Sequence, residues 1–299
     1  MVTPHLLYSS IFLLNQPHNF AGICYTTYML VTVDTGGTKT LIASFNEQGE
    51  LQQTIKFPTP ADQNEYVTLL RKTLQDTYAT TPVEAVVIAL PGIIKDGVAI
   101  WCNNLGWKNF DAGSALAGVL GEAPVIIEND ANLAGLAETR SLDPVPVSSL
   151  YVTISTGIGT GVITNGHIDA GLRYSEGGRA LVEFNGAVRE WESFASGKAI
   201  YTVYNKYARD ITDLATWEAI ADRISRGFLA MIPMIQPDII IIGGSIGTYF
   251  DRYGSSLQAR LTEKLPEHIP CPTIIQAQHP EEAVLYGCYY YAVDYLSGN

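Results

Sequence analysis

From Met29 onward the chain alternates short apolar runs with helical periodicities. Leu30–Val33, Leu41–Phe45 and Leu51–Phe57 read as three strands, with Asn46-Glu47-Gln48-Gly49-Glu50 as a hairpin turn between the last two. Asp62–Tyr78 carries Tyr66, Leu69, Leu70 and Leu74 at helical spacing. Ala85–Leu90 is a short buried strand stopped by Pro91-Gly92. Ala112–Leu120 reads as a helix, Val125–Ile127 as a strand, and Asp130–Thr139 as a helix capped by Asn129 or Asp130.

Ser141–Ser149, with Pro144 and Pro146, reads as a linker, after which the pattern restarts. Leu150–Ile154 predicts a strand, followed by a glycine turn and a second strand, Gly161–Thr164, turning at Asn165-Gly166. A long helix is expected over Leu214–Ile232, with Trp217, Ile220, Ile224 and Phe228 on its apolar face. Asp238–Ile242 predicts a strand, Gly243-Gly244-Ser245 a turn, then a helix to about Leu265, and Glu281–Leu296 a closing helix. Both halves thus open as strand, glycine turn and hairpin, the pattern of an internal structural repeat.

Composition narrows the function classes. The chain has 299 residues, room for two domains or one large one. A formal net charge of −12 and the lack of any basic cluster argue against a nucleic-acid partner. Cys24, Cys102, Cys271 and Cys288 show no paired spacing, which fits a reducing cytoplasm rather than a disulfide framework. Residues 1–28 contain an apolar run, Leu6 to Leu14, that is too short to span a bilayer and has no Lys or Arg before it. An upstream extension that the fold does not need is the favoured reading there, ahead of an ordered arm or a targeting segment. No membrane partner is expected.

Four segments carry candidate chemistry. In Asp34-Thr35-Gly36-Gly37-Thr38-Lys39 a strand ends in a carboxylate and exposes backbone N–H groups, an arrangement suited to phosphate oxygens and a hydrated Mg²⁺. Ser155-Thr156-Gly157-Ile158-Gly159-Thr160-Gly161 reads as a second clamp of the same kind, though not a Walker loop, since no Lys follows. Gly243, Gly244 and Ser245 follow an apolar strand, where missing Cβ atoms let a flat ring approach the backbone. Glu128-Asn129-Asp130 puts a carboxylate where a strand enters a helix, placed to take a proton from an attacking hydroxyl. Each has an ordinary alternative: a hairpin turn for the first two, a tight turn for the third, a helix cap for the fourth.

In this order and spacing the four segments, over residues 30 to about 296, resemble the ROK family of bacterial sugar kinases. The resemblance implies a two-lobed α/β fold of the actin/hexokinase-like (ribonuclease H-like) class with an interlobe cleft. It implies a small lobe at 30–140, a large lobe at 141–280 and a C-terminal helix, 281–299, returning to the small lobe. It also implies ATP and Mg²⁺ as cofactors, a small-molecule sugar as acceptor and a homodimer. Asp34, Gly36, Gly37, Thr38 and Lys39 are similar to the family's first phosphate motif, and Ser155, Thr156, Gly157 and Gly159 to its second. Gly243, Gly244 and Ser245 correspond to the adenosine-side turn, and Asp130 to the general base. Asn129, Glu176 and Glu192 fall at sugar-contact positions, as does one of Asn103 and Asn104.

The chain departs from the family in one stretch. The segment Glu-x-Gly-His appears as Glu176-Gly177-Gly178-Arg179, and the three-Cys cluster that binds structural zinc with that His is missing from residues 183–190. A tetrahedral zinc site needs four thiolate or imidazole ligands, so no structural zinc is expected. Packing by Leu181, Val182, Phe184 and Val188 is expected to hold the loop instead. Arg179 either reaches the sugar as a fixed donor or pairs with Glu176 or Glu183; the structural role is favoured. The expected activity is phosphorylation of a glucose-like hexose at a primary hydroxyl. Fructose, N-acetylmannosamine and N-acetylglucosamine are alternative acceptors. A sugar-responsive repressor and a sugar-binding protein without catalysis are weaker readings.

Overall fold

The computed structural model describes residues 28–102, 104–279 and 282–298. The readings of residues 1–27, and of Glu281 as a helix start, lie outside the described residues. The strands β1 (Met29–Thr35), β2 (Lys39–Phe45) and β3 (Leu51–Pro58) are followed by helix α1 (Gln63–Tyr78), whose N-cap Asp62 accepts from the Asn64 and Glu65 amides. Strand β4 (Val83–Leu90) leads into β5 (Ile93–Lys95), β6 (Val98–Cys102) and β7 (Trp107–Phe110). Then come α2 (Ala112–Leu116), β8 (Val125–Asn129) and α3 (Asp130–Arg140). The second half contains β9 (Ser148–Ile154), β10 (Ile158–Thr164), β11 (His167–Ile168), β12 (Leu181–Phe184) and β13 (Ala187–Glu190). It continues through α4 (Glu192–Ala195), α5 (Gly197–Tyr204), α6 (Leu214–Ile235), β14 (Ile239–Gly243), α7 (Gly244–Gly247), α8 (Gly254–Lys264), β15 (Thr273–Gln276) and α9 (Ala283–Ser297).

Two five-stranded sheets organise these elements, in the orders β3-β2-β1-β4-β8 and β11-β10-β9-β14-β15. In each, an antiparallel hairpin leads to a parallel pair. The alternation of side chains along a strand sets the cores. Val31 and Val33 of β1 face Tyr66, Leu70 and Leu74 of α1, whereas Leu30 faces Leu285, Cys288 and Ala292 of α9. Leu150, Val152 and Ile154 of β9 pack with Ile220, Ile224 and Phe228 of α6. Each such large apolar side chain contributes about 1.5–3 kcal/mol when fully buried.

Helix α3 belongs to neither sheet alone. Leu133 packs into the core of the first sheet, while Ala134 and Ala137 meet Tyr151 of β9 and Ile241 of β14. Residues Ala131–Thr139 are all buried, and small side chains let strands approach from both sides. The expected Ala112–Leu120 helix ends at Leu116, and the expected helix to Leu265 is broken into α7, a 3₁₀ turn at Phe250–Arg252, and α8. The three-stranded sheet β5-β6-β7 is an element that periodicity did not anticipate.

Candidate active site

The first glycine turn is short and open. Gly36 N–H donates to Lys39 O at 3.0 Å, and Gly36 O accepts from Thr59 Oγ1 at 2.8 Å. Gly37, Thr38 and Lys39 are left exposed, and a Cβ on Gly37 would lie 3.2 Å from Asn104 O. The turn therefore faces the loop between β6 and β7; Asn103, the alternative sugar contact in that loop, lies outside the described residues. Asp34 lies one residue before the end of β1, where burial pushes its carboxyl up to about 7. The negative charge of Asp130 adds to that shift and Lys39 opposes it.

Strand register brings these groups to one sheet edge: Asp34 aligns with Ala89 of β4, and Ala89 with Glu128 of β8. Two residues on, Asp130 opens α3. The cap is Asn129, whose Oδ1 accepts from Asn132 N–H at 3.0 Å while its Nδ2 donates to Gly92 O at 2.8 Å. Both ends of Asn129 are thus engaged within the protein. Burial raises the Asp130 carboxyl above the usual carboxylate range, opposed by its hydrogen bond from the Ala131 amide at 2.8 Å. Burial, and then the Asp130 charge, push the neighbouring Cys102 thiol up to about 12, which keeps it protonated.

The second turn is braced rather than open. Only Ser155, Thr156 and Gly157 form it; Ser155 N–H donates to Gly157 O at 2.9 Å, and Gly197 N–H donates to Ser155 O at 2.6 Å. Gly159 lies within β10, which corrects its reading as part of the turn, and the strand expected from Gly161 starts earlier, at Ile158. They serve close packing: a Cβ on Gly161 would lie 2.6 Å from Ala131 O, and one on Gly159 would lie 3.1 Å from the Ala131 Cβ. Without side chains there, β10 closes onto the first turn of α3, beside Asp130. At the end of β14, Gly244 has φ +78°, and a Cβ there would meet Ile154 O at 2.6 Å. Gly243 precedes it in the strand, and Ser245 lies in the one-turn helix α7.

Glu176 feels the same site. Burial raises its carboxyl, as do the charges of Asp130 and Glu192, while Arg179 opposes them. The ion pairs of Arg179 are with Glu190 at 2.7 Å and Glu192 at 3.1 Å, and its guanidinium lies over the Trp101 ring, 5.2 Å from the centroid. This corrects the expected pairing with Glu176 or Glu183; Glu183 instead accepts from Gly186 N–H at 2.7 Å and lies 3.7 Å from Arg226. Glu192 does two things at once, meeting Arg179 through Oε1 and accepting from Ile158 N–H through Oε2 at 3.2 Å. It links the segment of Arg179 to the second turn.

Where the family's zinc cluster would fall stands the hairpin β12-β13, turning at Asn185-Gly186 with φ of 54° and 75°. Phe184 stacks on Phe194 at 4.3 Å between centroids. Val182 and Phe184 are buried as expected, but Leu181 and Val188 are each 69% exposed, so two of the four expected packing residues face outward. Among the described residues no group of three or more His, Cys, Asp or Glu stands together to hold a metal ion.

Sequence reasoning did not single out Arg173, whose guanidinium pairs with buried Glu128 and donates to Tyr291 Oη at 2.9 Å. No local signal pointed to it, since the partners lie 45 and 118 residues away.

Paired mixed sheets, with glycine turns at their edges and a half-buried Asp opening the helix between them, form the actin/hexokinase-like fold of ROK sugar kinases. The ROK family model matches residues 30–294, and the chain belongs to the ROK family. It is 29% identical over 297 residues to the N-acetylmannosamine kinase of Haemophilus influenzae Rd, covering 89% of this chain and 96% of that one. Over 239 residues it is 29% identical to a fructokinase of Pediococcus pentosaceus, covering 73% of this chain and 80% of the relative. The structure of a ROK family glucokinase from Streptomyces griseus in complex with glucose and AMPPNP superposes with a TM-score of 0.74 at 22% identity, covering 89% of this chain and 99% of that one.

Proposed function

We propose that this protein transfers the γ-phosphoryl group of ATP to the primary hydroxyl of a glucose-like hexose, with Asp130 as general base. The observation that carries the reading is the placement of Asp130: half-buried, its carboxyl raised by desolvation, at the start of a helix wedged between both sheets, and within reach of the charge of Asp34. A carboxyl held above its usual range is a better proton acceptor for a sugar hydroxyl than an ordinary surface Asp. In this reading Asn104, Glu176 and Glu192 hold the sugar. Asn129 sets the helix cap that aims Asp130, and Arg179 orients Glu192 rather than touching the acceptor. Gly36, Gly37, Thr38 and Lys39 on one side, and Ser155, Thr156 and Gly157 on the other, offer backbone amides and hydroxyls to the phosphates. Gly243, Gly244 and Ser245 leave backbone open to the nucleoside. We read residues 30–140 and 141–280 as the two lobes about this site, with the C-terminal helix returning to the first.

The donor set fits Mg²⁺ and not zinc. No hydrogen bond among the described residues engages the Asp34 carboxyl, and an oxygen donor of this kind suits a hard cation. Asp34 would hold Mg²⁺, which when bound neutralises the charge of the phosphoryl group in transfer. The residues that replace the zinc cluster offer neither thiolate nor imidazole.

The names of the relatives make fructose and N-acetylmannosamine the alternative acceptors to test beside glucose and N-acetylglucosamine. A coupled assay of ADP release over these sugars tests the reading: one sugar should raise ADP release well above the sugar-free rate, and no response to any of them would refute it. The same reading assigns the protein to the cytoplasm as a homodimer. Among the described residues three cysteines are free, and no described helix is long and apolar enough to cross a membrane.

A further inference from the structure

Glu128 stands two residues before Asp130 and is almost completely buried, at 1% exposure. A lone carboxylate there would be costly, and three hydrogen bonds compensate it. Oε1 accepts from Asn129 N–H at 2.8 Å and from Asn132 Nδ2 at 3.0 Å, while Oε2 takes a charge-assisted bond from Arg173 Nη2. Arg173 Nη2 also donates to Tyr291 Oη at 2.9 Å, which fixes the guanidinium from the far side. Asn132 closes the ring, since its Nδ2 donates to Arg173 O at 2.8 Å.

The ring joins three parts of the chain. Glu128, Asn129 and Asn132 form the strand-to-helix junction that aims Asp130. Tyr291 comes from α9. Arg173 lies in the loop after β11, three residues before Glu176, whose carboxyl feels the Asp130 charge. Holding both the side chain and the carbonyl of Arg173 fixes where the Glu176 segment stands relative to Asp130.

We propose that Arg173 is a positioning residue that locks the Glu176 segment onto the junction carrying Asp130, through Glu128, Asn132 and Tyr291. The proposal rests on the kinase reading for its consequence, orientation of the acceptor sugar against the base, but not for the network itself. Misplacing reacting groups by about 1 Å can cost about a hundredfold in rate, so loss of this lock should register on sugar use before nucleotide use.

The test compares Arg173→Met, Arg173→Lys and the double variant Glu128→Gln/Arg173→Met with the wild type. Arg173→Met should raise the KM for sugar about tenfold and lower kcat about tenfold, with the KM for ATP nearly unchanged. Lys keeps the charge but not the planar fork, so Arg173→Lys should recover part of the loss. The double variant removes the unpaired buried charge and should regain thermal stability without regaining the sugar KM. Hydrogen exchange on the same proteins should show faster exchange at 128–133 and 169–178 in Arg173→Met and little change elsewhere. Wild-type kinetics in Arg173→Met, or a double variant that regains the sugar KM together with stability, would overturn the proposal. If the wild type phosphorylates no sugar, the kinase reading fails by itself; unchanged exchange in those two segments would then sink the positioning role independently.

Discussion

In the first half, β1, β2 and β3 form an antiparallel ribbon that meets β4 and β8 in parallel; in the second, β11, β10 and β9 form the same ribbon and meet β14 and β15 in parallel. The halves diverge where the strands stop. The first turn, at Gly36–Thr38, is held from one side by Thr59 and leaves Gly37, Thr38 and Lys39 exposed, whereas the second is fastened by Gly197 and Glu192. After β8 the chain enters α3 with Asp130, whereas the segment after β15 runs on to α9, its Gln278 and His279 amides donating to Glu138 of α3 at 2.8 and 2.7 Å. The same sheet thus serves two ends. In the proposed reading one half supplies the reacting carboxylate, and the other supplies a rigid wall against which that carboxylate is held.

If that division holds, Asp130→Asn should cause the largest loss. It keeps the size of the side chain but removes the proton acceptor, so kcat should fall about 10²–10⁴-fold in steady-state assays, with sugar affinity much less affected. Gly161→Val tests the wall. A side chain there meets Ala131 O and pushes β10 away from α3, which should cost about 1–3 kcal/mol in denaturant unfolding and lower kcat about tenfold. Near-normal activity in that variant would break the comparison between the halves.

Arg179→Ala probes the sugar-side segment. Its partners are partly exposed, so thermal stability should drop by no more than about 1 kcal/mol, while the KM for sugar rises severalfold as Glu192 loses a constraint. The ranking of sugars should stay the same; a reordered ranking would mean that Arg179 touches the acceptor. On stability, Asp34→Asn gives the smallest and most pH-dependent effect. The folded protein holds this carboxyl near 7, above its ordinary 3.8, so it keeps a proton that the unfolded chain gives up. The stability associated with that proton is complete below 3.8 and is lost as pH rises through about 7. Asp34→Asn should therefore melt a few degrees above the wild type at about pH 8 and coincide with it in acid, as read by calorimetry across pH.

Local chemistry in the sequence was enough to find the strands that end at the site, because glycine, Asp and Asn at strand ends have local causes. It also located Asn129 as one of two possible caps and Asp130 behind it. The Asp96-Gly97 turn between β5 and β6, with φ of 51° and 76°, carried an equally local hairpin signal that the apolar periodicity of this short stretch obscured. Other features were beyond local reasoning. Gly159 looks like a loop glycine, and the packing role of Gly161 stays hidden, until α3 is seen against them. Arg179 chose Glu190 and Glu192 because the hairpin β12-β13 folds Glu190 back toward it, a consequence of the Asn185-Gly186 turn and its register. Arg173 depends on pairings across 45 and 118 residues.

The central claim is that both halves act on one phosphoryl group and deliver it to a sugar CH₂OH. Phosphorus NMR of a reaction of the wild type with ATP, Mg²⁺ and its preferred sugar tests this most directly. The account predicts a sugar phosphomonoester whose phosphorus couples to two methylene protons, formed one for one with ADP. Release of inorganic phosphate alone, or a phosphorus coupled to a single anomeric proton, would contradict it.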